Sequence, residues 1–226
     1  MDRDLTSGEG TSMRGPIAIL SLLLSLPVAG PCGDFVHRGF YLGFGYGGGG
    51  SVLETEYTAT DLSVTVPTAG TGMAVDARIG TALRDDLILH GTVIQHIVPG
   101  PTTRSGSVSE TPLNEMDFQL LGAGVTRYFM PANLFLSGSL GLATVSGYAD
   151  TGESGRIGNN GFGFQIKAGK EWRLNTTWGL GVAFDFVWAR IGADSHRETD
   201  SYGRVLDVEE TDTYRHVGVQ LTAALH

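Results

Sequence analysis

The sequence predicts an all-β chain, an eight-stranded antiparallel up-and-down transmembrane β-barrel. Three observations predict it. After Gly33 the chain falls into eight segments of about ten residues in which large apolar side chains alternate with small or polar ones. The connections between these segments alternate strictly between long and short. No apolar run reaches the roughly eighteen residues that a membrane-crossing helix needs, and the 34 glycines are interleaved with Phe, Leu, Val and Trp, unlike a polar low-complexity tract.

Residues 1–33 read as an export signal, with residues 34–226 forming the barrel domain. Arg14 precedes the apolar stretch Ile17–Ala29, too short to span a bilayer but matched to the apolar core of a secretory signal. Met13 is an alternative start, because Met1–Thr11 carries acidic residues where such signals carry positive charge. Pro27 and Pro31 interrupt the small-residue pattern around Ala29 and Gly30, leaving the cleavage position open. Cys32 is the single cysteine, so no internal disulfide can form. Lipidation of Cys32 is not expected, since Pro31 stands where lipoprotein signals have a small residue.

The first strand, Gly39–Tyr46, sets Phe40, Leu42, Phe44 and Tyr46 against Tyr41, Gly43 and Gly45. In the second, Met73–Leu83, the apolar face of Met73, Val75, Ala77, Ile79 and Leu83 opposes Ala74, Asp76, Arg78, Gly80 and Ala82. The third, Leu87–Val98, opposes Leu87, Leu89, Val93 and Ile97 to His90, Thr92 and His96, with Ile88 and Ile94 on the polar side. For the fourth, Met116–Tyr128, the pattern gives Met116, Phe118, Leu120 and Tyr128 as the apolar face and Asp117, Gln119, Ala123 and Arg127 as the other.

The fifth, Leu134–Val145, has Leu134, Leu136, Leu140 and Leu142 against Ser137, Ser139, Gly141 and Ala143. In the sixth, Phe162–Trp172, Phe162, Phe164, Ile166 and Ala168 alternate with Gly163, Gln165, Lys167 and Glu171. The seventh is the most regular: Trp178, Leu180, Val182, Phe184, Phe186 and Trp188 oppose Gly179, Gly181, Ala183, Asp185 and Ala189. The eighth, Tyr214–Leu225, sets Val217, Val219, Leu221, Ala223 and Leu225 against His216, Gly218, Gln220 and Thr222.

A water-soluble barrel alternates too, but turns its apolar face inward and covers the outside with Lys and Glu. Here the second face is rich in Gly, Ala and Ser, suited to the crowded inside of a narrow barrel, so the apolar face is expected outside, against lipid. The long connections 47–72, 99–115, 146–161 and 190–213 are expected outside the cell, and the short turns 84–86, 129–133 and 173–177 in the periplasm. Trp172, Trp178 and Tyr128 near short turns, and Trp188 near the opposite rim, are expected to form aromatic girdles.

The stretches GFYLGFGYGGG from Gly39, RYFMPANLFLSGSLG from Arg127 and GKEWRLNTTWGLGVAF from Gly169 resemble the small OmpA/OmpX-like outer-membrane barrels of Gram-negative bacteria, over residues 39–226. The resemblance implies an integral outer-membrane protein, monomeric, in contact with outer-membrane lipid and lipopolysaccharide and inserted by the outer-membrane insertion machinery. Members of that superfamily commonly end on an aromatic residue, whereas this chain reads Ala224-Leu225-His226, leaving His226 as the terminal ring.

The four long connections carry 14 acidic and five basic residues, concentrated in 190–213, which argues against nucleic acid as a ligand. Without a D-x-D-x-D-G spacing, the acidic run reads as a solvated surface and not as a cation loop. The inward charges are expected to be Asp76, Asp117, Glu171 and Asp185 against Arg78, Arg127 and Lys167. In a barrel whose interior only accommodates side chains, unpaired charges would be very costly, so these seven are expected to pair and plug the lumen.

For catalysis the candidates are His196 with Ser195 and Asp194, and His96 near the top of the third strand. Neighbours in sequence do not meet in triad geometry merely by being neighbours, and neither the His-x-Ser pattern of deacylating barrels nor the amphipathic helix of palmitoyl-transferring ones is present. The expectation is therefore a non-enzyme, with no catalytic residues and no cofactor. The histidines lack metal-site spacing, so no metal ligands are expected either. The function expected is envelope integrity or surface interaction through acidic loops, possible partners being unknown extracellular molecules. A narrow channel for small solutes is the alternative, and a lipid A-modifying enzyme a third reading.

Overall fold

The structure, a computed structural model, describes residues 39–59, 62–105, 108–110, 113–148, 154–155, 160–199 and 205–225. The expected signal region, Cys32 and His226 lie outside the described residues. Eight strands carry the barrel: β1 Phe40–Ala59, β2 Leu62–Arg84, β3 Leu87–Pro99, β4 Glu115–Phe129, β5 Leu134–Tyr148, β6 Gly161–Arg173, β7 Trp178–Thr199 and β8 Val205–Leu225. Each pairs antiparallel with its sequence neighbours, and β1 closes the ring on β8 from Leu42↔Leu225 to Ala59↔Val208. The architecture is thus an all-β, up-and-down barrel of eight strands. Short strands at Thr102–Ser105, Val108–Glu110 and Ser154–Gly155 extend the outer connections, the first pairing with β2 at Thr68 and Ala69.

The short turns have local chemistry that fixes them. In the β6–β7 turn, Asn175 Oδ1 accepts from the backbone N–H of Thr177 and of Trp178, both at 2.8 Å, which closes the turn without sheet partners. In the β4–β5 turn, Asn133 has φ of 52°, a left-handed conformation that Asn tolerates better than most residues. Its Nδ2 donates to the Glu171 carbonyl at 3.2 Å, tying this turn to β6.

Strand parity follows the sequence in seven of the eight strands. Outward stand Phe44, Val75, Ile79, Val93, Leu140, Leu142, Ile166, Leu180 and Leu221, giving an exposed apolar belt; Leu142 and Leu221 are 64% and 66% exposed. Inward stand Asp76, Arg78, His90, His96, Lys167, Asp185, His216 and Gln220, all buried. A closed sheet leaves no unpaired edge inside a bilayer, and the belt presents carbon to lipid while the polar residues face the lumen. Trp178 lies exposed at the short-turn rim and Trp188 at the other end of β7 is half-buried, as the girdle reading requires.

Strand β4 is the exception and corrects the sequence reading. Met116, Phe118, Leu120 and Tyr128 are buried in the lumen, while Leu121 and Val125 face outward with Asp117, Gln119, Ala123 and Arg127. The reason is volume: the upper lumen is filled with apolar side chains, so this strand turns its large residues in. The outward polar residues are placed at the rims. Asp117 accepts from Gln95 Nε2 at 3.1 Å and from Gln119 Nε2 at 3.1 Å near the long-connection end. Arg127 Nε lies 3.5 Å from Asp86 at the short-turn rim, with its guanidinium over Phe129. Asp117 and Arg127 are therefore not lumen charges, and Tyr128 is not a girdle residue.

A second correction concerns the connections expected at 47–72 and 190–213. Most of each is strand: β1 continues to Ala59 and β2 begins at Leu62, while β7 runs to Thr199 and β8 starts at Val205. Because β2, β1, β8 and β7 are consecutive around the ring, their extensions form one four-stranded sheet above the belt. Pro67 fits this sheet because β2 stands near its edge, where a missing N–H disrupts no central ladder.

Candidate functional site

The lumen is built in layers, and the residues that make it come from every strand. Nearest the short turns, Tyr41, Ile88, Tyr128, Phe135, Ala183 and Ala224 pack together. Tyr128 donates its hydroxyl to Glu171 Oε2 at 3.0 Å, so the inward acid of β6 is held at the base of the barrel.

Above it sits the charged layer. Lys167 Nζ binds Asp76 Oδ2 directly and donates to Gln220 Oε1 at 2.6 Å, and Arg78 Nε lies 3.2 Å from the other oxygen of Asp76. Asp76 thus engages both Lys167 and Arg78. Gly45 makes this possible: a Cβ there would collide with Asp76 Oδ2 and Gln220 Oε1. Beside this layer His90 Nε2 is 3.0 Å from Thr126 Oγ1, which donates to Ser137 at 2.8 Å.

The third layer brings together His96 of β3, Asp185 of β7 and His216 of β8. All three are buried, and their candidate ligand atoms lie within 4.8 Å of one another. The two imidazoles stack with centroids 3.9 Å apart. His96 Nδ1 is 2.9 Å from the Tyr214 hydroxyl, that hydroxyl is 2.9 Å from Ser51 Oγ, and Ser51 Oγ is 2.9 Å from His216 Nδ1. One chain of hydrogen bonds therefore orients both rings from behind. On the other side, His96 Nε2 and His216 Nε2 have no hydrogen-bond partner, and Asp185 has only Gln165 and its own backbone close by without a well-formed hydrogen bond to either oxygen. The nearest approach is His216 Nε2 to Asp185 Oδ2 at 3.9 Å.

Tyr214 stacks on Phe118 with centroids 4.1 Å apart and planes 5° from parallel. Ile94 and Leu120 pack in the same apolar cluster, and Leu53, Val98, Met116 and Ile191 continue it toward the outer end.

Sequence reasoning had placed His96, Asp185 and His216 on inward faces, but strand spacing alone does not bring them together. The signal lay in the register of a closed ring, where β3 lies across from β7 and β8. His96 is sealed in the lumen, and residues 194–196 run in β7 opposite Glu210, Glu209 and Val208. The side chains of Asp194, Ser195 and His196 lie outside the described residues.

A closed β-sheet with an apolar belt outside and a polar, hydrogen-bonded lumen is the architecture of proteins that cross an outer membrane with strands. The fold is a closed eight-stranded up-and-down barrel whose outer belt suits the interior of a bilayer. No family model matches the chain, and no curated protein matches it. Among solved structures it is similar to Neisserial surface protein A, with TM-score 0.43 and 14% identity, covering 80% of this chain and 95% of that one. It is also similar to the outer membrane protein OprG from Pseudomonas aeruginosa, with TM-score 0.42 and 12% identity, covering 84% and 98%. A third is outer membrane protein AlkL, with TM-score 0.42 and 11% identity, covering 87% and 94%.

Proposed function

We propose that the protein is a non-catalytic, non-conducting outer-membrane barrel that serves envelope integrity or surface contact through its acidic outer sheet. The observation that supports this reading is the filled lumen: an aromatic base, the Asp76–Lys167–Arg78–Gln220 layer and an apolar cap, stacked along the axis. To admit even a small solute, Lys167 would have to leave Asp76, uncovering a buried charge on each side. The outer sheet supplies the surface. Glu54 and Arg215 pair at 3.0 Å and Arg197 and Asp207 at 3.0 Å on its exposed side. Exposed pairs of this kind contribute at most about 1 kcal/mol; they leave an acidic excess in the extended strands, with Glu56, Glu209 and Glu210 among it.

The monomer sits in outer-membrane lipid and lipopolysaccharide, is delivered by the insertion machinery and meets extracellular partners through this sheet. Planar-bilayer recording of the folded protein tests the reading. No steady single-channel openings are expected; regular openings in the wild type, abolished by a bulky substitution at Gly45, would establish the channel alternative.

A further inference from the structure

We infer that His96, Asp185 and His216 form a binding site for one divalent transition-metal ion of the zinc type inside the barrel. Three observations carry this beyond a chance cluster. The first is which atoms are free. Each histidine has Nδ1 tied to a hydroxyl and Nε2 without a hydrogen-bond partner, one ring nitrogen of each lies within 4.8 Å of the other and of an Asp185 oxygen, and His216 Nε2 stands 3.9 Å from Asp185 Oδ2. With both Nδ1–H groups donating, Tyr214 accepts from His96 and donates to Ser51, which accepts from Tyr214 and His216. Every bond in the chain is then satisfied, and both Nε2 lone pairs are left for a ligand. A metal-bound histidine characteristically has its other nitrogen fixed by an outer partner in this way.

The second observation is charge. Asp76 takes up both Lys167 and Arg78, and Glu171 is held by Tyr128, while Asp185, 2% exposed, has Gln165 beside it but no cation in ion-pair contact, its nearest basic group being His216 at 3.9 Å. A buried carboxylate left this way is among the costlier features a fold can carry. A dication between two neutral imidazoles and this carboxylate removes that cost.

The third is room. Gly218 stands beside the site, and a Cβ there would come within 2.6 Å of His216 Nε2 and 2.9 Å of Asp185 Oδ1. Any other residue would fill the space in which the ion would sit.

Two nitrogens and one carboxylate suit zinc, cobalt or ferrous iron, and not calcium or magnesium, which take oxygen ligands. Zinc ligands at 2.0–2.1 Å in a tetrahedron stand about 3.4 Å apart, so the three side chains close by about an ångström on binding. At the outer end, a crevice of about 780 Å³ between the first outer hairpin and the β3–β4 connection includes in its lining Ser51, the residue whose Oγ holds His216.

The test uses the full chain folded into detergent micelles, with folding verified by its heat-modified gel mobility. Zn²⁺ and Co²⁺ are supplied alone and bound metal is counted after dialysis. One ion per chain is expected, with the visible absorption of tetrahedral cobalt bound to imidazole. Asp185→Asn, His96→Gln and His216→Gln should each weaken binding 100-fold or more, Ser51→Ala about 10-fold, and His90→Gln, on a buried histidine outside the cluster, not at all. Should a ligand variant fail to fold, Gly218→Ala crowds the space while leaving all three ligand residues in the sequence and should also abolish uptake. A folded wild type that takes up no ion overturns the inference. So does uptake that survives Asp185→Asn and Gly218→Ala, because acidic residues on the outer sheet would then be the binders.

Discussion

Replacing Phe118 by Ala tests the inverted face of β4 and, with it, the packing of the upper lumen. Phe118 is fully buried and lies face to face with Tyr214 at 4.1 Å, with the His96 ring at 5.4 Å on its other contacts. Truncation removes a whole aromatic ring from among the Tyr214 and His96 rings and the apolar side chains of the upper lumen. Such substitutions cost about 3–5 kcal/mol. The matched control is Leu121→Arg: Leu121 is 64% exposed, and its ladder partners Val93 and Leu142 are also exposed, so the new charge would face lipid. A cation on the lipid face costs about 2–4 kcal/mol at mid-bilayer and less toward the rim. Urea unfolding of both variants in lipid vesicles gives the comparison. With a slope of about 2 kcal/mol per molar urea, a loss of about 4 kcal/mol lowers the midpoint of Phe118→Ala by about 2 M. If Phe118→Ala moves the midpoint by less than about 0.5 M while Leu121→Arg leaves it unchanged, the parity of β4 is that of the sequence reading and the lumen packing described above is wrong.

Other predictions follow from the same structure. Lys167→Met should destabilise by about 3–5 kcal/mol, since it strands Asp76 with Arg78 alone, and adding Asp76→Asn should recover part of the loss; strict additivity in vesicle unfolding would contradict the pairing. Asp117→Leu, at the outer rim of the lipid face, should change stability by less than about 1 kcal/mol, whereas a lumen location would make it severe. Protease added to intact cells should cut between Thr199 and Val205 and spare Arg173–Thr177, and cleavage confined to the latter would mean the barrel is inserted the other way up. Phe184→Arg on the outer face of β7 should cost about 2–4 kcal/mol, measurable by the same vesicle unfolding, with a harmless outcome counting against the lipid belt.

The strand count, their order and most of their faces were legible because alternation survives wherever one side meets lipid and the other a crowded lumen. In β7 the contrast is complete, from Trp178 to Trp188 against Gly179 to Ala189. In β4 it was misread because both faces hold apolar residues, and period two says that the faces differ without saying which is outside. Leu121 and Val125, on the side taken as inward, were the available signal. The strand extensions were hidden for another reason: Glu54, Glu56 and Thr58 alternate with Leu53 and Thr55 as in a water-exposed sheet, and the four glycines from Gly47 to Gly50 look like a loop until their pairing with 71–74 is known. His96, Asp185 and His216 were individually placed on the inner face. Their meeting depends on ring closure and shear, which no stretch of sequence contains.

The unequal height of the wall has a mechanical consequence. The seam joining the first and last strands is laddered from Leu42↔Leu225 to Ala59↔Val208, and β1–β2 and β7–β8 run further still, whereas among the described residues β5 and β6 are joined from Leu134↔Lys170 to Ala143↔Gly161. A lateral force within the membrane therefore finds its weakest joint on the side of the cylinder away from the closing seam. The first and last strands are fastened to each other along one of the long ladders of the ring, and sideways opening toward lipid would begin between β5 and β6.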